Sequence, residues 1–158
     1  LATTGAVVAG TSYVWHGEPD GGATFEAPGG GWIYVSNSEL NGTRGGVGAL
    51  RFDASGAIVD AYPMLTGTKW NCAGGATPWG TWLSCEEFRG GFVWECDPQR
   101  SGQGVARRAL GKFPHEAAAV DPSTGYVYLT EDDYDSRLYR FRPARWGDLR
   151  DGVLEAAS

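Results

Sequence analysis

Two cysteines, a glycine pair and two adjacent carboxylates fall within one segment, Asn71-Cys-Ala-Gly-Gly-Ala-Thr-Pro-Trp-Gly-Thr-Trp-Leu-Ser-Cys-Glu-Glu87. The glycines let the backbone turn sharply or approach a ligand without steric cost. Pro78 fixes its own φ and removes a donor, so Thr77-Pro78 reads as a turn or strand edge. Thr81–Cys85 is rich in strand-favouring types, and Glu86-Glu87 closes the run. Adjacent carboxylates repel unless solvent, a proton or a cation relieves them. A strand that ends in an acidic pair, near a Gly-rich turn bearing Cys72, is therefore a candidate for a metal. The plainer reading is an exposed pair at a strand end.

The elements that must position these groups repeat along the chain. Trp32-Ile-Tyr-Val-Ser-Asn-Ser-Glu39, Thr81-Trp-Leu-Ser-Cys-Glu-Glu87 and Val127-Tyr-Leu-Thr-Glu-Asp-Asp133 are each an apolar and aromatic run, then Ser or Thr, then acid. Ser36, Ser84 and Thr130 lie 48 and 46 residues apart. A second strand follows each run, ending near Phe52, Cys96 and Phe141, and a further strand precedes each. Asp53-Ala-Ser-Gly56 and Asp121-Pro-Ser-Thr-Gly125 have the chemistry of tight turns. A period near 45 residues with about four short strands per unit is the signature of a β-propeller, whose blades bury their faces against one another.

The expected fold is all-β, a single propeller-like domain over residues 1–158. It has about three four-stranded blades, approximately 22–65, 66–110 and 111–155, of an incomplete or truncated ring. Strands are expected near 32–37, 48–53, 80–85, 91–96, 117–121, 126–131 and 137–142. Ala6–Ala9 and Tyr13–Trp15 read as short strands, Gly17–Gly22 as a loop, and Ala144–Leu149 as the one short helix. A sandwich with coincidental spacing is the alternative architecture. Three units leave edge strands that invite pairing with other chains, so self-association, or a missing remainder of the propeller, is expected.

Composition agrees with this class. The chain has 158 residues, of which 42% are hydrophobic and 25 are glycine, the latter scattered among aromatic and β-branched residues. Seven Trp and seven Tyr argue against disorder. The net charge of −6 and the lack of a basic stripe exclude nucleic acid as the expected partner. No apolar run approaches the length of a membrane-spanning helix. Three cysteines cannot all pair internally. Cys85 and Cys96, inside strand patterns, suit burial or a disulfide, whereas Cys72 sits in a turn where packing requires no sulfur. His16 reads as a loop or core-edge histidine.

In a propeller, equivalent residues gather around one axis. Glu39, Glu86, Glu87, Asp132 and Asp133 would then sit at one end of equivalent strands, with Cys72 and His115-Glu116 able to point into the same channel. Carboxylates with one thiolate favour hard cations such as Ca²⁺, with Fe or Zn at the sulfur. The spacing matches no zinc finger or EF-hand.

The Asn71–Glu87 segment, Leu110-Gly-Lys-Phe-Pro-His-Glu-Ala-Ala-Ala-Val120, and Tyr128-Leu-Thr-Glu-Asp-Asp133 with Leu138-Tyr-Arg-Phe141 resemble the PhoX-type alkaline phosphatase family of bacteria. The resemblance runs from about Asp20 to Pro143. It implies a β-propeller whose channel holds calcium and iron and hydrolyses phosphate monoesters, in a secreted or periplasmic setting. It maps an iron-binding cysteine to Cys72 and metal-binding acids to Glu86, Glu116 and Asp132. Glu39 corresponds to an early Asn-His-Glu motif in which Ser38 replaces the His. A later Arg-Pro-Glu motif of the family does not arrive before Ser158, so weak or absent phosphatase activity is expected of this chain. The competing functions are a non-catalytic propeller module that binds a glycan or a protein, and a self-assembling structural unit.

Overall fold

The computed structural model describes residues 1–157; Ser158, the last residue of the expected domain, lies outside the described residues. Three four-stranded antiparallel sheets stand side by side as blades. The first is β1 (Pro19–Glu26), β2 (Trp32–Ser38), β3 (Gly45–Phe52) and β4 (Ile58–Thr68), in that spatial order. The second is β5 (Asn71–Ala76), β6 (Trp82–Glu86), β7 (Val93–Cys96) and β8 (Val105–Ala106). The third is β9 (His115–Val120), β10 (Val127–Glu131), β11 (Leu138–Pro143) and β12 (Gly152–Ala156). The first strands of the blades abut, β1 against β5 and β5 against β9. The blades form an arc, not a closed ring, and their separation into three sheets removes the sandwich alternative.

Strand alternation places a core on each side of a blade. Ile33 and Val35 of β2 join Val47, Ala49, Met64, Trp82 and Cys96 between the first and second blades. Leu83, Cys85 and Val93 turn the other way, to meet Val127, Leu129 and Phe141 of the third. Cys85 and Cys96 thus face opposite sides of one sheet. All three cysteines are free and buried, so the disulfide alternative is removed. On the far face of the first blade Tyr34, Leu50 and Phe52 pack under Val8 and Trp15 of the N-terminal segment. That segment makes only an isolated bridge, Val7 to Val14, where two short strands are expected.

Two departures concern local chemistry. The helix expected at Ala144–Leu149 is a turn-rich loop. Gly147 takes φ 74°, Trp146 donates to the Pro122 carbonyl at 3.2 Å, and Leu149 is drawn into the core. The helical turn among the described residues is a 3₁₀ turn at Arg108–Leu110. Gly17–Gly22 is not wholly loop either. Pro19 opens β1, a position where a missing N–H costs no ladder bond.

Candidate metal centre

The first strand of each blade carries the same irregularity near its start. Between its pairings Pro19↔Ser38 and Gly22↔Ser36, β1 has one residue more than β2. The same extra residue occurs in β5, between Asn71↔Glu86 and Gly74↔Ser84. It recurs in β9, between His115↔Glu131 and Ala118↔Leu129. A β-bulge of this kind bends the strand and re-aims a side chain. The residues just inside the three bulges are Asp20, Cys72 and Glu116.

A second position repeats with it. The residue following each second strand donates its amide back to the residue two before the bulged one. Glu39 donates to Glu18 at 2.9 Å, Glu87 to Trp70 at 2.8 Å and Asp132 to Pro114 at 3.1 Å. Six side chains from three blades, Asp20 and Glu39, Cys72 and Glu87, Glu116 and Asp132, are thereby set on equivalent backbone. Ligand atoms of Asp20, Glu39 and Cys72 lie within 4.8 Å of one another, as do those of Cys72, Glu87 and Glu116. Cys72 belongs to both groups. Its Sγ is 3.6 Å from Asp20 Oδ2 and 3.4 Å from Glu116 Oε1.

The strands can come this close because glycines and small residues line the contact. A Cβ on Gly21 would stand 2.7 Å from Ala73 Cα, and one on Gly75 would overlap the Ala118 carbonyl oxygen. A buried amide then fixes the central bulge. Asn37 Nδ2 donates to the carbonyls of Cys72 and Ala73, at 2.9 and 2.7 Å. Asn37 Oδ1 accepts from Trp82 Nε1 and Ser84 Oγ, each at 2.9 Å. Asn71 Nδ2 donates to Ser84 Oγ at 3.0 Å, and Thr68 Oγ1 donates to Asn71 Oδ1 at 2.7 Å.

The cluster is electrostatically unfavourable as it stands. Burial first, and then Glu116 and Asp132, push the Glu87 carboxyl up to about 7, against a hydrogen bond from Cys72 that works the other way. Glu39 is raised by burial and by Asp20. The Cys72 thiol is driven far above its ordinary value by burial and by the neighbouring carboxyls of Glu87, Glu116 and Asp20. Cations stand on the surrounding loops and not among the acids. Arg89, largely exposed, reaches Asp133 at 3.2 Å, and Lys69 lies over the Phe88 ring at 4.0 Å. A donor set of carboxylate oxygens and one sulfur, in mutual repulsion, fits bound cations: hard ones on the oxygens, iron or zinc at the thiolate.

Of the residues expected from the sequence, the structure brings together Cys72, Glu116 and Glu39, with Asp132 beside Glu87. Glu86 is not among them. It is buried, and its carboxylate accepts from Phe92 N at 3.0 Å and Lys69 N at 3.4 Å, which ties the β6–β7 turn to the β4–β5 connection. Its neighbour Glu87 faces the cluster instead, one step further along the chain. Asp133 points away to Arg89. His115 turns into the core against Phe113, with ring centroids 3.7 Å apart, and burial holds it neutral, lowered to about 4. His16 is likewise lowered to about 4 by burial and bonds Ser36 and Tyr13. Asp20 was missed by sequence reasoning, because its Pro, Asp and Gly neighbours read as a loop. The available signal was its place at the head of a unit, where Cys72 and Glu116 stand in the other two.

Comparison with known proteins completes the picture. The sequence model of the family described as alkaline phosphatase PhoX matches residues 32–90 and 88–155. No curated protein matches the sequence. A solved structure, Pseudomonas fluorescens PhoX in complex with vanadate, a transition state analogue, superposes with a TM-score of 0.67 at 20% identity. The match covers 87% of this chain and 45% of the other, so the chain spans less than half of that protein's length.

Proposed function

The chain belongs to the PhoX alkaline phosphatase family, and on that premise we propose that its acidic cluster holds metal ions and serves the hydrolysis of phosphate monoesters. The observation that carries this reading is the threefold bulge that sets Asp20, Cys72 and Glu116 beside Glu39, Glu87 and Asp132. Asp20, Glu39 and Cys72 would hold one cation, and Cys72, Glu87 and Glu116 another, with Cys72 shared. Calcium suits the oxygen donors and iron the sulfur. Bound there, the metals supply charge that polarises phosphoryl oxygens and activates an attacking oxygen.

The chain's own residues do the rest. Cys72 must release its proton to ligate, and so must Glu87, so loading releases protons and strengthens as pH rises. Lys69 and Arg89 on the adjoining loops give an anionic ester a positive approach to the site. A secreted or periplasmic setting, and a ring completed by further blades or chains, belong to the same reading.

The test is element-resolved metal analysis of the chain loaded with calcium and iron, with p-nitrophenyl phosphate turnover on the same samples. The wild type is expected to hold both metals. Cys72→Ala should lose iron and keep its fold, while Cys85→Ser should keep iron and lose stability. A wild type that holds no metal, or a Cys72→Ala chain that keeps its iron, would overturn the assignment. A second reading, a propeller that holds a ligand on aromatic side chains, is favoured by a groove of about 570 Å³ on the first blade. Trp32 stacks on Phe52 there at 5.1 Å. A metal-free chain that still binds a glycan would support it.

A further inference from the structure

An aromatic corner stands at the edge of the acidic cluster, and the backbone does not call for it. Trp70 is 40% exposed and holds φ 48°, a left-handed conformation uncommon for a bulky side chain. The equivalent position, whose carbonyl accepts the same amide, is held in the sister blades by Glu18, at φ 46°, and by Pro114, whose ring excludes a positive φ. An acidic side chain and an imino ring thus serve there, so the fold has no requirement for an indole. The turn is tied to both acid-bearing loops: Trp70 N donates to the Leu40 carbonyl at 2.9 Å, and its carbonyl accepts from Glu87 N. The Trp70 and Phe88 rings meet edge to face, with centroids 6.0 Å apart. The Lys69 ammonium lies 4.0 Å from the Phe88 centroid and 5.2 Å from that of Trp70. Trp70 and Phe88 are each within two residues of a proposed ligand, Cys72 and Glu87.

We propose that Trp70 is a stacking platform for the leaving group, so that the protein favours phosphate monoesters of alcohols that carry a planar aromatic group, nucleosides among them, over esters of simple sugars. The inference rests on the phosphatase reading above. An ester held with its phosphate at the cluster has its leaving group beside the adjoining loops. A nucleobase has a π-face for the exposed indole, and Lys69 supports the corner with a cation–π contact. Hydrolysis adds water across the P–O bond and releases inorganic phosphate and the alcohol. Adenosine 5′-monophosphate and ribose 5-phosphate lose the same kind of primary oxygen, so they differ in the base and hardly in leaving-group chemistry.

The experiment compares these two esters on the metal-loaded chain, by calorimetric binding and by kcat/KM. The nucleotide is expected to be preferred about tenfold in both, within what stacking one base contributes. Trp70→Ala should bring the ratio close to one with metal content retained, and Trp70→Phe should keep part of it. Trp146→Ala, at a distant loop, should leave the ratio intact. Equal binding of the two esters by the wild type, binding of neither, or a preference that survives Trp70→Ala would overturn the platform. If neither ester is hydrolysed the phosphatase reading falls, and the binding ratio still decides the role of Trp70.

Discussion

Asn37→Ala is the most informative single change to the frame of the site. Asn37 is fully buried and touches no proposed ligand side chain, but it binds the two carbonyls of the central bulge and accepts from Trp82 and Ser84. Truncation orphans the Trp82 indole N–H, which is itself buried, and leaves both bulge carbonyls short of a donor. A buried group left unsatisfied costs about 1–3 kcal/mol. Counting the indole in full and the carbonyls in part gives about 3–5 kcal/mol, a large share of the ~5–15 kcal/mol that holds a domain together. For a chain of this size that is a fall in Tm of about 10 °C. Ser84→Ala removes one donor to Asn37 and the acceptor of Asn71, and should cost about 1–2 kcal/mol by the same reasoning. Thermal melts of chelator-treated protein, followed by circular dichroism, give both numbers. If Asn37→Ala stays within about 1 kcal/mol of the wild type, or Ser84→Ala costs more than Asn37→Ala, the buried amide is not what fixes the bulge.

Glu86 and Glu87 should separate cleanly. Glu86→Gln, which weakens the hold on the Phe92 and Lys69 amides, is expected to lower Tm with metal binding retained. Glu87→Gln should reduce metal content with Tm of the metal-free chain kept or raised, and paired melts and metal analysis check both. The metal-free chain should also lose stability in acid. His115 and His16, lowered to about 4, stay neutral when folded but take up protons when unfolded below about 6.5. Stability is therefore lost as pH falls through that window, by about 2 kcal/mol at pH 5 for the fully buried His115. Glu87, raised to about 7, has the opposite sign and adds stability as pH falls from about 7 toward 4.5. One buried and one half-buried histidine outweigh one part-exposed, solvent-screened carboxyl. Tm should accordingly fall from pH 7 to pH 5, and fall more steeply in Glu87→Gln; a Tm that rises on acidification would refute the sign.

The blades were legible because each repeats one strand pattern with one kind of turn. Asp53 shows the chemistry: its carboxylate accepts from the amides of Ser55 and Ala57, at 2.8 and 3.0 Å. Spacing could not show the bulges. Aligning Ser36, Ser84 and Thr130 puts Asp133 level with Glu39 and Glu87. The register instead makes Leu129, paired with Ala118, the equivalent of Ser36 and Ser84, paired with Gly22 and Gly74, and that brings Asp132 into the row. The choice between Glu86 and Glu87 was hidden for a related reason. One residue of shift turns a side chain to the other face of a sheet, and a Glu-Glu pair offers no contrast in type to say which faces the axis. Asp20 was concealed by Pro19, whose presence reads as a loop until the strand is seen to begin on it. Cys85 and Cys96, in contrast, were readable as packing residues, because their neighbours alternate as a strand requires.

The bulges also explain why a thiol stands in the middle blade. Three equivalent positions converge, and the outer two, Asp20 and Glu116, are acids. A third carboxylate at the centre would touch both neighbours, and Glu39 and Glu87 already crowd the same space. The Cys72 thiol, raised far above its ordinary value by burial and by those carboxyls, stays protonated in the metal-free chain. It donates toward the acids at 3.4 and 3.6 Å. On the proposed metal-binding reading it is a neutral spacer until a cation arrives and would be a ligand afterwards, since a bound metal reverses the local field that keeps the proton on sulfur. On that proposal the same residue lets the blades fold together before loading and would join the two groups of donors after it. A carboxylate of similar reach would serve only the second role.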